Sequence, residues 1–331
     1  MTATDHLDIR SLGDKTNVEG VYSLVNPQLA ATRQGKPFLK CLLRDASGEM
    51  PGRMWSCDEA VFSRIGDAAF VRVRGNTQSY NDSIQMIIEA IEPIEPGPED
   101  LARLVPMTRF DIDSMFADVA GILRSLQHPG MKALAEAFLA DEKLMLRFRR
   151  APAATSLHHA FIGGLLEHTR QLLQLAEAML PFYPQLSRDI VLMGLFLHDL
   201  GKTSELDWER GFNYTLRGNL VGHVVDGVLL LRAKYLTMRQ AGGDLPARAQ
   251  TVLEHIVVSH HGQLEFGAAK LPATPEAIFV AMLDNLDAKT FMALNNARRE
   301  DWGQENDQGG EFTDKVWALE TRIFRPDPLA E

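Results

Sequence analysis

Two kinds of hydrophobic pattern divide the chain. Between residues 18 and 92, short runs rich in Val, Ile and aromatic residues alternate with turn formers at 33–37, 45–48 and 80–82. Five such runs predict five β-strands. Five strands in about 75 residues favour a small closed barrel of the OB type, with an SH3-like barrel as the alternative.

Beyond about residue 99, apolar residues recur at helical spacing. The run IVLMGLFL is apolar all round, which is typical of a helix at the centre of a bundle. The predicted helices cover residues 111–127, 130–149, 157–180, 187–200, 219–239, 247–261 and 274–295. The sequence therefore predicts a multi-domain α+β chain, in which a five-stranded barrel precedes an all-α helical bundle.

The boundary between the two halves is predicted at a proline-rich segment. Residues 93–98 read PIEPGP, which neither continues a strand nor starts a helix easily. We expect a barrel domain at 1–92, a linker at 93–98 and a helical domain at 99–331.

Composition restricts the class of protein. The chain has 331 residues, 45% of them apolar, so it is long enough for two cores. No apolar run is long enough to cross a bilayer, and Cys41 and Cys57 form no CxxC motif. We expect a cytoplasmic protein without a membrane partner. The net charge of −10 argues against coating nucleic acid by charge alone.

The histidines carry the strongest chemical signal. Eight of the ten lie between His158 and His261, and several alternate with aspartates along the predicted helices. Imidazole and carboxylate groups are the usual ligands of borderline divalent metals. Because each candidate lies on its own apolar segment, the set is expected to converge inside the bundle. The seven candidate metal ligands are His168, His198, Asp199, His223, His260, His261 and Asp284.

Several neighbouring residues are assigned other roles. Lys202 follows His198 by four residues and is expected either to meet a phosphate or to oppose a helix dipole. On an extended helix His158 reaches the rim of the site, whereas His159 faces away. Asp287 is expected to be structural or to support a ligand. We assign His6, His128 and His255 to structure or surface.

The order H…HD…H…HH…D is that of the HD superfamily of metal-dependent phosphohydrolases. The stretches APAATSLHHAFIGGLLEHT, FLHDLGKTSEL, YTLRGNLVGH, SHHGQLEFG and DNLDAK resemble the YhaM-type 3′→5′ exoribonucleases, as does RQGKPFLKCLLRDASGEMPGRMW in the barrel. The resemblance covers roughly residues 18–295. It implies an OB domain followed by an HD domain.

The resemblance also implies roles for individual residues. His168, His198, Asp199 and Asp284 match the ligands of a first metal, and His223, His260 and His261 those of a second. Asp199 would bridge the two ions and act in catalysis. Lys202 would also act in catalysis, by contacting the substrate phosphate. The histidine-rich set favours two transition-metal ions, Mn²⁺ first, with Fe, Co or Ni as alternatives.

The barrel is expected to hold single-stranded RNA or DNA by base stacking and backbone charge. The candidate contacts are Tyr22, Arg33, Lys36, Phe38, Arg53, Trp55, Arg72 and Arg74, with Tyr80 as a further stacking residue.

The leading hypothesis is a metal-dependent exoribonuclease that releases nucleoside 5′-monophosphates from the 3′ end. One alternative is a nucleotide or cyclic-nucleotide phosphohydrolase with a regulatory barrel. Another is a nucleic-acid-binding regulator with a vestigial metal site, which the intact set of seven ligands disfavours.

Overall fold

A computed structural model gives the architecture of the protein. It describes residues 6–32, 34–66, 68–80, 83–97, 100, 103–155, 159–208, 212–297, 311–313 and 315–329. The chain divides into two compact units. Unit 1 comprises Met1–Met107 with Asp207–Asn213, and unit 2 comprises Thr108–Leu206 with Tyr214–Glu331. The linker at 93–98 stays a prediction.

Unit 1 is built on a closed five-stranded barrel, as the strand pattern predicts. The strands are β1 (Asn17–Ala31), β2 (Pro37–Arg44), β3 (Glu49–Met54), β4 (Phe70–Tyr80) and β5 (Ser83–Pro93). They pair in the order β1-β2-β3-β5-β4, and β4 closes the barrel by pairing with β1. The β3–β5 pair is parallel, and helix α1 (Glu59–Ile65) and β4 form the long connection that a parallel pair requires.

The barrel core is formed by inward-facing aliphatic side chains. Leu39, Leu43, Val71, Val73 and Met86 are fully buried there. Leu39, Leu43 and Val73 alternate with exposed or half-buried residues along their strands, as expected for a barrel whose interior is filled by side chains. Cys41 and Cys57 are both buried and free.

Unit 2 is helical. Its helices are α2 (Ile112–Arg124), α3 (Pro129–Leu139), α4 (Glu142–Arg150), α5 (Gly164–Met179), α6 (Arg188–Leu197), α7 (Lys202–Glu205), α8 (Leu216–Leu220), α9 (His223–Gln240), α10 (Ala247–Ser259) and α11 (Pro275–Ala297). Short 3-10 segments occur at Leu180–Phe182, Leu264–Phe266 and Trp317–Leu319 in unit 2, and at Ile9–Ser11 in unit 1. The short strands β6 (Leu206–Asp207) and β7 (Asn213–Tyr214) pair with each other. In α6 every residue from Asp189 to Leu197 is buried, as its uniformly apolar sequence predicts.

Three of the predicted helices differ from the structure. The helix predicted at 219–239 is interrupted at Gly222, whose φ is +79°, so that α8 ends at Leu220 and α9 begins at His223. The helix predicted at 130–149 is split, because Asp141 accepts a hydrogen bond from the Leu144 backbone N–H and starts a new helix, α4. The helix predicted at 157–180 begins only at Gly164. Both His159 and Gly163 have positive φ, which an α-helix cannot contain.

Among the described helices, none is both long enough and apolar enough to span a membrane.

Candidate metal centre

The seven candidate ligands come from different elements of unit 2. His168 lies on α5 and Asp284 on α11, whereas His223 is the first residue of α9. The other four stand at helix ends, His198 and Asp199 directly after α6, and His260 and His261 directly after α10. Side chains at helix ends can point into the space between helices, so the whole set meets inside the bundle.

The ligand atoms form two adjacent clusters. His168, His198 and Asp284 each offer a ligand atom within 4.8 Å of the others. Asp199, His223, His260 and His261 form a second cluster within the same limit.

Asp199 lies between the two clusters. One of its oxygens, Oδ2, is 3.4 Å from His198 Nε2. The other, Oδ1, is 3.5 Å from His223 Nε2 and 3.4 Å from His260 Nε2. The carboxylate therefore presents one oxygen to each cluster, which is the geometry needed to bridge two ions.

Hydrogen bonds fix the tautomer of the histidines. The Nδ1 atoms of His198 and His260 lie 2.7 and 2.8 Å from the carbonyl oxygens of Leu195 and Val257. A carbonyl oxygen only accepts, so Nδ1 carries the proton and Nε2 keeps its lone pair.

Two other histidines are held by carboxylates instead. His168 Nδ1 lies 2.6 Å from Asp287 Oδ2, and His223 Nδ1 lies 3.0 Å from Glu205 Oε1. Each cluster thus contains one histidine whose far nitrogen is bound by an acidic side chain. Such pairing orients the imidazole and raises its basicity toward a metal.

The donor set fits bound metal. Within the described part of the chain, Nε2 of His198, His223 and His260, Nδ1 of His261 and Oδ1 of Asp199 are buried and have no hydrogen-bond partner. Leaving such polar atoms buried and unpaired costs about 1–3 kcal/mol each. Metal coordination would satisfy these atoms together, since each belongs to a residue of one of the two clusters.

Charge stabilises the ionised form of Asp199. Burial alone would raise the pKa of this carboxyl, but Lys202 and His198 hold it well below its ordinary value. Lys202 Nζ donates a 2.6 Å hydrogen bond to Asp199 Oδ2. Burial would lower the pKa of Lys202, yet Asp199 raises it, so the lysine stays charged.

The imidazoles differ in their protonation. Burial, and then the neighbouring His260, lower the pKa of His261 to about 3, so its ring is neutral. Burial also opposes charge on His168, but Asp284 and Asp287 raise its pKa to about 9. A metal at the first cluster must therefore displace a proton from His168, which couples binding to pH.

Three side chains of the centre keep some exposure to solvent. The side chains of Lys202, His223 and Asp284 are 11–16% exposed, whereas those of His168 and His198 are fully buried. Gly201 permits the close packing beneath it, because a Cβ at this position would lie 2.0 Å from the His223 carbonyl oxygen. The turn after α6 thereby approaches the start of α9.

Two residues of this region were missed or misplaced by sequence reasoning. The expectation that His159 faces away is wrong, since its side chain is fully buried beside Asp287. It was misplaced because the helical periodicity was extended through a turn. Glu205 was not singled out; its spacing of three from Lys202 was the available signal. His158, the predicted rim residue, lies outside the described residues.

On the barrel, four of the predicted nucleic-acid contacts lie together. The Phe38 and Trp55 ring centroids are 5.1 Å apart. The Arg53 guanidinium lies 5.8 Å from the Trp55 ring centroid and 5.6 Å from that of Tyr80. Trp55 and Tyr80 are 46% and 54% exposed. Lys36 is exposed just before β2, while Arg33 lies outside the described residues.

The remaining barrel candidates are not in this group. Tyr22 was predicted to stack on bases, which is wrong, because it is fully buried and its hydroxyl donates to the Leu7 carbonyl oxygen. Arg72 and Arg74 lie on β4 like Tyr80, but at least six residues before it, where they pair with Glu92 and Ala90 of β5. Arg72 also pairs with Glu92 at 3.3 Å, so part of its charge is neutralised.

Comparison with known families agrees with both units. The HD domain family matches residues 165–289, and the OB-fold nucleic acid binding domain family matches residues 17–94. The barrel is therefore of the OB type rather than SH3-like. The second OB-fold domain of replication protein A from Methanococcus maripaludis covers 28% of this chain and 96% of its own, at 16% identity and a TM-score of 0.23, which is too distant to support an argument.

Relatives match over nearly the whole chain. The 3'-5' exoribonuclease YhaM of Geobacillus sp. (strain WCH70) is 33% identical over 319 residues, which is 95% of this chain and 92% of that protein. The 3'-5' exoribonuclease YhaM of Bacillus subtilis (strain 168) is 31% identical over 294 residues, 88% of each chain. The chain therefore belongs to the family of the 3'-5' exoribonuclease YhaM.

Proposed function

We propose that this protein is a metal-dependent 3′→5′ exoribonuclease that hydrolyses single-stranded RNA and releases nucleoside 5′-monophosphates. The observation that carries the proposal is the pair of adjacent ligand clusters, centred on Asp199, in a chain related over nearly all of its length to enzymes of that name. The HD domain supplies the catalytic centre and the OB-fold the grip on nucleic acid.

The seven residues have distinct tasks in this proposal. His168, His198 and Asp284 hold one divalent ion, and His223, His260 and His261 hold the other, with Asp199 shared between them. When bound, such a pair supplies a nucleophile at neutral pH and neutralises charge on the phosphoryl group. The set is rich in imidazole, which favours Mn²⁺, Fe, Co or Ni over Mg²⁺.

Lys202 acts on the substrate. Its ammonium group is 2.6 Å from Asp199 Oδ2 and its side chain is 11% exposed, so it lies beside the carboxylate that the two clusters share. From there it donates to a non-bridging phosphate oxygen and stabilises the negative charge that develops in phosphoryl transfer.

The barrel holds the strand. Phe38, Trp55 and Tyr80 offer faces for bases, whereas Lys36 and Arg53 offer charge to the backbone. Stacking of this kind tolerates any sequence and accepts single-stranded DNA as well as RNA. A cytoplasmic location remains a prediction.

A labelled strand tests the proposal. The purified protein is incubated with Mn²⁺ and 5′-labelled single-stranded RNA, and a duplex of the same sequence and a panel of nucleotides are run beside it. A descending ladder from the single strand, suppressed by chelation, is the expected result. Early release of labelled mononucleotide means 5′→3′ action, and discrete internal fragments mean an endonuclease. Turnover confined to free nucleotides would identify a nucleotide phosphohydrolase instead.

A further inference from the structure

His159 occupies an unusual backbone position next to the metal centre. Its φ is +46°, a left-handed conformation that non-glycine residues adopt uncommonly and at a cost. The conformation is held by hydrogen bonds from the backbone N–H groups of Ala153 and Phe161 to the His159 carbonyl oxygen. Gly164 packs against the same oxygen, which a Cβ would approach to 2.0 Å. The turn is therefore built around His159.

The result of this turn is a fully buried imidazole between two carboxylates. His159 Nε2 lies 3.3 Å from Asp287 Oδ2, and Nδ1 lies 3.6 Å from Glu167 Oε1. The ring stacks on Phe291 with centroids 3.9 Å apart, which fixes its plane. Glu167 is in turn fixed by a 2.5 Å hydrogen bond from the Thr108 hydroxyl.

The chain of contacts ends on a candidate metal ligand. The Asp287 oxygen that His159 approaches is the same Oδ2 that lies 2.6 Å from His168 Nδ1. On the other side of that ring, His168 Nε2 faces Asp284 Oδ1 at 3.3 Å. Any rotation of the Asp287 carboxylate would therefore turn the His168 imidazole and move its metal-binding nitrogen.

We infer that His159 is a positioning residue for the first metal cluster. It holds the Asp287 carboxylate in the orientation that keeps His168 Nδ1 protonated and Nε2 directed at the ion. The second cluster does not depend on it, because His223 is oriented by Glu205, and His260 by the Val257 carbonyl oxygen. This inference rests on the proposed two-metal centre.

The test replaces His159 without removing its packing. His159→Phe keeps an aromatic ring against Phe291 and removes both nitrogens, whereas His159→Gln restores one N–H donor toward Asp287. His255→Phe is the matched control, since His255 is a histidine of the same bundle whose Nε2 accepts from the Ala273 backbone N–H. Metal-free proteins are titrated with Mn²⁺ alone, and calorimetry and electron paramagnetic resonance report the affinities and the magnetic coupling of the ions.

The wild type and His255→Phe are expected to bind two coupled ions. In His159→Phe one ion binds as in the wild type, while the affinity for the other falls about 10- to 100-fold, as for lost partners of metal-bound histidines, and coupling disappears at two equivalents. His159→Gln recovers part of that affinity. The metal-free proteins melt at similar temperatures.

Three results would overturn the inference. Tight binding of two coupled ions by His159→Phe would show that Asp287 needs no support. Equal weakening of both ions, with a lower melting temperature of the metal-free protein and no recovery in His159→Gln, would show a role in folding only. A wild type that binds no pair of ions would overturn the two-metal centre itself, and the inference with it.

Discussion

Trp55→Ala is expected to weaken the binding of single-stranded RNA. Trp55 directly follows strand β3 and lies outside the barrel core, with nearly half of its area exposed. Phe38 packs beside it and Arg53 lies over it, and the exposed part of the ring is the face that we propose accepts one base. The substitution removes that face while Phe38 and Tyr80 remain.

The magnitude follows from one lost base contact. Base–aromatic stacking contributes about 1–3 kcal/mol per base, which corresponds to about a 5- to 150-fold increase in Kd. Arg53 also loses one of its two aromatic neighbours, a contact of about 0.5–1 kcal/mol at exposed positions. Because Trp55 is not part of the core, the stability of the barrel is expected to change little.

Fluorescence anisotropy with a labelled strand measures the change. Divalent metal is omitted so that the strand stays intact, and salt is held constant because phosphate contacts make the Kd salt-dependent. Phe182→Ala is the matched control, since Phe182 is an aromatic of unit 2 that is 79% exposed. An unchanged Kd in Trp55→Ala, or an equal loss in Phe182→Ala, would refute the stacking surface.

Three further predictions concern the metal centre, the barrel and the division of labour. Glu205→Gln should raise the Mn²⁺ concentration needed for activity about 10- to 100-fold, with near-normal turnover at saturation, because only the support of His223 is weakened; a normal Mn²⁺ requirement in an activation titration would contradict this. Asp45 accepts hydrogen bonds from the Ile9, Ser47 and Gly48 backbone N–H groups. Burial raises the pKa of its carboxyl, but hydrogen bonds from His6, Ser47 and these amides lower it overall. The stability that the charged carboxylate gives the folded protein is therefore present above the ordinary carboxyl pKa and is lost as the pH falls through the pKa of the folded state. Asp45→Asn should destabilise the protein by about 1.5–3 kcal/mol at neutral pH and by less in acid, as measured by urea unfolding at both pH values; an equal loss in acid would contradict the charge-based account. The fragment 99–331, which contains all seven candidate ligands, should hydrolyse dinucleotides but bind long RNA weakly, and a folded, metal-loaded fragment without dinucleotide activity would show that the barrel contributes to catalysis.

Much of this molecule was predictable from its sequence, because the two periodicities are strong. The strand pattern correctly predicted the closed barrel, and the uniformly apolar run correctly predicted the buried helix α6. The seven candidate ligands were recognisable because metal chemistry requires imidazoles and carboxylates, and these alternate with apolar helices. The structure brings all seven into two clusters, while their role as ligands remains a proposal.

What escaped prediction depends on contacts distant in sequence. His159 was misplaced because periodicity does not reveal a residue with positive φ, and its partner Asp287 is far along the chain. Tyr22 was misassigned because Gly20 to Leu24 are all buried, so strand alternation does not identify an exposed face. Glu205 stands on a helix of four residues, too short for a periodic signal.

Asp199→Asn is the most informative substitution for the proposed two-metal centre, because this side chain presents one oxygen to each ligand cluster. The variant removes one negative charge and changes the shape of the side chain little. Bound Mn²⁺, hydrolysis of 5′-labelled RNA and RNA affinity are measured on the same preparation, together with the melting temperature. We expect the coupled ion pair and hydrolysis to be lost while RNA affinity is retained. Substantial Mn²⁺-dependent hydrolysis by a stably folded Asp199→Asn protein would show that Asp199 does not bridge two catalytic ions.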